Sequence, residues 1–260
     1  MNARLPLAPS SINAYQLHPH EILEIAVQGR CGVEYQPLVS ASTERIIGYE
    51  ALARFYRYEG SPIAPDTLFE RLHVEPLLLY HLELSAKRIQ LQHAPEEGLL
   101  FLNLDPDSYD QGEKDHPGGN TFLDLFEDCG IKERLVIEII ENLAVRDVVL
   151  SRRMIDTLSG HELKVAMDDL AVSKGLISFG SLADATYLKF DLSWLAEQGQ
   201  PRREEILRWS LSAAHAMSVM TVLEGVETEA DLEFARKHGF DLVQGFRYRE
   251  HFRHWHPEQL

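Results

Sequence analysis

Short apolar runs recur along the chain, and nearly all of them end in, or are broken near their end by, one or two polar residues. Val33-Glu34-Tyr35-Gln36-Pro37-Leu38-Val39 and the run over 46–54 flank a polar turn at 40–45, which predicts two strands joined as a hairpin. The run over 99–104 is apolar except for Asn103, and that over 135–141 carries Glu138 and Glu141. Residues 163–167 lead into Asp168-Asp169, 187–191 contain Lys189 and end on Asp191, 219–223 lead into Glu224, and 241–246 hold Gln244. Each run has the length and composition of a buried strand. Between them the apolar spacing lengthens to that of helices, over 21–27, 65–73, 76–93, 122–128, 143–158 and 202–217.

Six or more strands alternating with helical segments, each strand ending in a polar group, predict an α/β protein of the (β/α) barrel type. In such a barrel the polar ends converge on one rim. The expected organisation is a loose leader over 1–17, one barrel domain over 18–250 and a tail over 251–260. The tail histidines His251, His254 and His256 are expected to be solvated. The stretch 105–120 contains Gly112, Pro117, Gly118 and Gly119 and reads as a long polar, mobile loop.

Composition narrows the function. With 260 residues, 45% of them hydrophobic and 25% charged, the chain can build a large core. A formal charge of −16 argues against general binding of DNA or RNA and against an anionic membrane surface. No run approaches the length of a membrane span, and the expected location is the cytoplasm. Cys31 and Cys129 have no metal-ligand spacing and read as small buried hydrophobes.

The candidate chemistry lies in the polar strand ends. Two adjacent carboxylates, Asp168 and Asp169, repel each other unless a cation intervenes. Glu50, inside its own apolar run, also requires a cation; Arg54 is one source, and the same guanidinium is suited to a ligand phosphate. Glu50, Asn103, Glu138, Asp168, Asp169, Lys189, Asp191, Glu224 and Gln244 would all reach one rim. Oxygen donors without Cys or His select hard divalent ions such as Mg or Mn.

These residues also carry a resemblance. Tyr49-Glu50-Ala51-Leu52-Ala53-Arg54, preceded by Tyr35-Gln36-Pro37-Leu38-Val39, resembles the signature of the EAL-domain family of cyclic-di-GMP phosphodiesterases. Asn103, Glu138 with Glu141, Asp168-Asp169, Lys189 with Asp191, Glu224-Gly225-Val226-Glu227 and Gln244-Gly245-Phe246 follow in the family's order. The resemblance implies a modified (β/α)8 barrel that hydrolyses cyclic-di-GMP to linear pGpG with two Mg or Mn ions. It implies Glu50, Asn103, Glu138 and Asp168 on one ion, and Asp168, Asp169 and Glu224 on the other. It further implies Glu224 as base, Lys189 beside the attacking water, and Gln36, Leu52, Arg54 and Gln244 against the dinucleotide. Glu141, Asp191 and Glu227 would support that inner set, and homodimers are the family's habit.

The sequence departs from the family after the paired aspartates. Where the family commonly has Phe-Gly-Thr-Gly-Tyr-Ser-Ser-Leu, this chain has Leu170-Ala171-Val172-Ser173-Lys174-Gly175-Leu176-Ile177. The Gly-Thr-Gly core, with its tight turns and its hydroxyl, is replaced. An alternative expectation is therefore a receptor that binds cyclic-di-GMP and hydrolyses it poorly.

Overall fold

A computed structural model describes residues 19–140, 145–170, 184–192 and 201–257 of the chain. The expected leader over 1–17, Glu141 and residues 171–177 of the divergent loop lie outside them, as does the side chain of Asp169.

The chain enters through α1 (Pro19–Gln28) and forms the expected hairpin, β1 (Cys31–Ser40) and β2 (Ile46–Tyr56). The turn between them is far too short for a crossover, so the pair is antiparallel. A short β3 (Pro62–Ile63) borders β2, and then come α2 (Pro65–Leu72) and α3 (Pro76–Gln92). Both helices begin with proline at the first turn, where its missing N–H costs nothing.

From β4 (Leu99–Asn103) onward the strands are parallel: β5 (Leu135–Ile140), β6 (Lys164–Leu170), β7 (Tyr187–Asp191), β8 (Met220–Glu224) and β9 (Leu242–Val243). β2 is parallel to β4, and β1 is antiparallel to both β2 and β9. The hydrogen-bonded order β1-β9-β8-β7-β6-β5-β4-β2 returns to β1, closing a ring of eight strands in which one is reversed. This is the modified (β/α)8 barrel that the resemblance implies, and it belongs to the barrel class that the strand pattern predicts.

Two expectations are corrected. The stretch 105–120 is not a loose loop: α4 (Pro106–Asp115) occupies most of it. Asp105 caps this helix, its carboxylate accepting from the backbone N–H groups of Asp107 and Ser108, while Tyr109 anchors it in the core. The polar composition concealed a helix held at its N-terminus and along one face. Asn120 caps the next helix, α5 (Thr121–Asp128), and its amide donates to the Tyr109 carbonyl, tying α4 to α5. The described part of the expected tail, residues 251–257, is likewise structured. β10 (Arg253–Trp255) pairs with the outer edge of β1, placing Trp255 opposite Val33 and His254 opposite Glu34.

The remaining α-helices among the described residues are α6 (Val145–Gly160), α7 (Pro201–Ala216) and α8 (Glu229–His238). α8 starts at a reciprocal capping box between Thr228 and Asp231, and Gly239 ends it at φ 83°. One large core fills the space between strands and helices. A second gathers residues of α1, α2 and α3 against the ends of β1 and β2, and a third, smaller one consists only of strand residues: Leu38, Phe101, Val136, Ala166, Tyr187, Val222 and Leu242. These line the barrel interior and form its apolar floor.

Candidate active site

The floor fixes the site, because side chains two residues apart on a strand share a face. Two residues beyond Phe101, Val136, Ala166, Tyr187, Val222 and Leu242 stand Asn103, Glu138, Asp168, Lys189, Glu224 and Gln244. On the reversed strand β1, Gln36 lies two residues from Leu38 and opposite Glu50 of β2. One polar layer therefore lies directly over the apolar floor, toward the C-terminal ends of the parallel strands. Ring closure brings together residues that lie far apart in sequence.

Lys189 is at the centre. Its Nζ lies 2.9 Å from Glu224 Oε1, 3.0 Å from Glu138 Oε1, 3.5 Å from Glu50 Oε2 and 3.5 Å from Asp168 Oδ1. Glu138 and Lys189 are fully buried, and Glu50 and Gln244 nearly so. The Glu50 carboxylate accepts from Asn103 Nδ2 at 2.7 Å and from Gln244 Nε2 at 2.6 Å. The cation that Glu50 requires is thus Lys189. Arg54, the source suggested by strand proximity, turns instead to Glu34 at 2.7 Å.

The electrostatics follow from four carboxylates sharing one ammonium out of water. Burial opposes charge on Lys189, but Asp168, Glu138, Glu224 and Glu50 outweigh it and hold the ammonium well above its ordinary pKa. Burial, reinforced by Glu50, pushes Glu138 well above the usual carboxylate range. Burial also raises Glu224 to about 8, with Lys189 opposing and Asp168 and Glu50 adding to the shift. Glu50 goes the other way. Burial disfavours its charge, yet Lys189 and the amides of Gln244 and Asn103 hold it below the usual range. The cluster is short of positive charge. Glu138 Oε2 is buried without a hydrogen-bond partner, and Oε1 has the shared Lys189 ammonium beside it at 3.0 Å.

That deficit, with a donor set made only of oxygen, fits a hard divalent cation. Glu50, Asn103, Glu138, Asp168 and Glu224 are oxygen-bearing side chains in this layer. The backbone of Asp169 is in β6, next to Asp168. Asp191 pairs in register with Glu224 at the end of β7. Glu227 is exposed, and its backbone N–H donates to Asp231 at the start of α8. Leu52 shares the inward face of β2 with Glu50.

Sequence reading missed three features. Glu34, two residues beyond Gln36 on β1, accepts from Gln36 Nε2 at 2.8 Å as well as from Arg54; the period-two alternation was the signal that could have found it. Glu83 and Lys87 form a buried ion pair on α3, which read as a packing helix only. His73, Asp105 and Asp107 bring ligand-capable atoms within 4.8 Å of one another, although Asp105 Oδ1 is already engaged in capping α4. The tail histidines, expected to be free in solvent, are exposed but held: His254 Nδ1 lies 3.3 Å from Glu34 Oε2, and His256 hydrogen-bonds the Tyr56 hydroxyl at 2.6 Å. Cys31 is buried as expected, its thiol pushed up to about 12 by burial.

Residues 20–250 match the EAL domain family. The chain is 25% identical over 270 residues to an Escherichia coli K12 protein named "Probable cyclic di-GMP phosphodiesterase PdeB", covering 93% of this chain and 48% of that protein. It is 24% identical over 226 residues to the cyclic di-GMP phosphodiesterase TpdA of Vibrio parahaemolyticus, covering 85% of this chain and 37% of TpdA. Among solved structures, the Bacillus subtilis YkuI protein, which has an EAL domain and was solved with c-di-GMP and calcium, superposes with a TM-score of 0.73. That match has 22% identity and covers 89% of this chain and 56% of YkuI. The chain thus spans under half the length of the two named curated relatives.

Proposed function

The chain belongs to the EAL-domain family, and on that premise we propose that it hydrolyses cyclic-di-GMP to linear pGpG in a reaction that depends on divalent metal. The observation that carries the reading is the layer of Glu50, Glu138, Asp168 and Glu224 gathered around Lys189 above the barrel floor. Glu50, Asn103, Glu138 and Asp168 would hold one Mg or Mn ion. Asp168, Asp169 and Glu224 would hold a second. Bound there, the ions supply positive charge that acidifies water and braces the oxygens of an in-line phosphoryl displacement.

The chain's own groups do the rest. Burial raises the Glu224 carboxyl to about 8; the positive charge of bound ions would favour its ionised form, which is the form that can take a proton from water. Lys189 remains an ammonium at the centre of the cluster and offsets phosphate charge. Gln36, Leu52, Arg54 and Gln244 face the same mouth and would contact the dinucleotide. The apolar floor of Phe101, Val136 and Tyr187 closes the barrel below them.

The sequence of residues 170–177 favours a second reading, a receptor that binds cyclic-di-GMP with little turnover. One experiment separates the two: incubation with cyclic-di-GMP and Mn, with products resolved by chromatography, beside Ca-supported binding of the same ligand. Product that is absent in Glu224→Ala, with binding retained in that variant, supports the hydrolase. Binding without product in the unaltered protein establishes the receptor.

A further inference from the structure

Arg54 already has an anion. Its NH2 donates to Glu34 Oε1 at 2.7 Å and its NH1 to the Ala53 carbonyl at 3.0 Å. The same Glu34 oxygen accepts from Gln36 Nε2 at 2.8 Å. Two residues of the mouth that would contact the dinucleotide are therefore both held by one carboxylate. β1 supplies Glu34 and Gln36, and β2 supplies Arg54 four residues beyond Glu50 on the inward face. The Glu34 side chain is 17% exposed and that of Arg54 28%, so the pair is substantially shielded from water. Burial works against the Glu34 charge, but the hydrogen bonds from Gln36 and Arg54 prevail and keep it ionised.

From this geometry, and resting on the cyclic-di-GMP reading above, we infer that Glu34 is a built-in competitor for the ligand's phosphate, occupying the Arg54 fork until the dinucleotide displaces it. A guanidinium with one terminal nitrogen on a neighbouring carboxylate and the other on a backbone carbonyl offers an incoming phosphate less net charge and no free pair of terminal donors. The mouth has little to spare, since Lys189 below is shared among four carboxylates. Displacement needs a second partner for Glu34, and β10 provides one: His254 Nδ1 lies 3.3 Å from Glu34 Oε2. Pairing of β10 with β1 puts His254 directly opposite Glu34. Glu34 is a positioning residue, acting on affinity through Arg54 and Gln36. It sets a binding threshold that a neutral residue there would not.

The test is a double-mutant cycle on Glu34 and Arg54, reading the Kd of cyclic-di-GMP in the presence of Ca. Glu34→Gln keeps the shape and the hydrogen-bond acceptor and removes the charge. It is expected to tighten binding about tenfold, or about 1.4 kcal/mol. In an Arg54→Ala background the same substitution should change Kd by less than about twofold, because the competed group is gone. Glu34→Thr, a good strand former, repeats the measurement should the Gln variant fold poorly. A loss of binding on charge removal is what a structural role predicts, and it overturns the inference. Tightening that persists without Arg54 overturns it as well. If the unaltered protein binds and Glu34→Gln binds equally, the competitor role alone fails. If neither binds the dinucleotide, the cyclic-di-GMP reading fails together with it.

Discussion

At the scale of single residues, the site is a problem of charge that Lys189 solves only in part. Replacing it by Met leaves Glu50, Glu138, Asp168 and Glu224 with no shared ammonium. Removing one partner of a buried ion pair costs about 3–5 kcal/mol. Lys189→Met is therefore expected to lower the melting temperature of the protein in chelator, with Ca restoring part of the loss; calorimetry with and without Ca checks both. Glu224 gives the pH dependence. Its carboxyl is raised from 4.5 to about 8, so the protonated form is favoured by folding. This contribution to stability is complete below about pH 4.5 and is lost as pH rises through about 8. In chelator, the unfolding midpoint in urea should fall across that window. With Mn present the fall should be shallower, because a bound cation favours the ionised carboxylates. A flat chelator profile that Glu224→Gln leaves unchanged would show that this carboxyl is not shifted.

At the scale of elements, alternation along each strand does the placing. Gln244, which donates to Glu50, is followed by Gly245, whose φ is 155° and whose backbone lies close to that of Val226. A Cβ at that position would overlap the backbone of Val226 and lie 2.7 Å from its carbonyl carbon. Gly245→Ala is expected to cost about 1–3 kcal/mol in urea unfolding, as overpacking does, and to weaken cyclic-di-GMP binding through the loss of the Gln244–Glu50 bond. The two readouts should move together; normal stability and normal binding would mean that the turn relaxes freely. The helix α4 makes a related point in the opposite direction. Its composition is that of a loop, and the Asp105 cap and the packing of Tyr109 decide the matter.

At the scale of the whole molecule, the barrel closes at its thinnest place. β9 pairs with β1 at two positions, Val39 with Val243 and Ser40 with Leu242, and with β8 at two, whereas β5 and β6 pair at five. Backbone amides at the β9 seam are expected to exchange at least about tenfold faster than those of β5, measured by native-state hydrogen exchange with mass spectrometry. Uniform protection around the ring would show that closure is tighter than the ladder suggests. The sequence alone made legible the order of the barrel strands, most of the helices other than α4, the barrel class and the strand-end positions of Glu50, Asn103, Glu138, Asp168, Lys189, Glu224 and Gln244, because apolar periodicity and a buried polar group at each strand end are local signals. It could not determine which charges meet. Arg54 lies four residues from Glu50 on one strand yet pairs with Glu34 across the hairpin, while Lys189 reaches Glu50 from the far side of the ring. Nor could it show that β10 returns to β1 and sets His254 beside Glu34. Such pairings are set by strand register and ring closure, which join residues far apart in the chain, and only the tertiary structure fixes them.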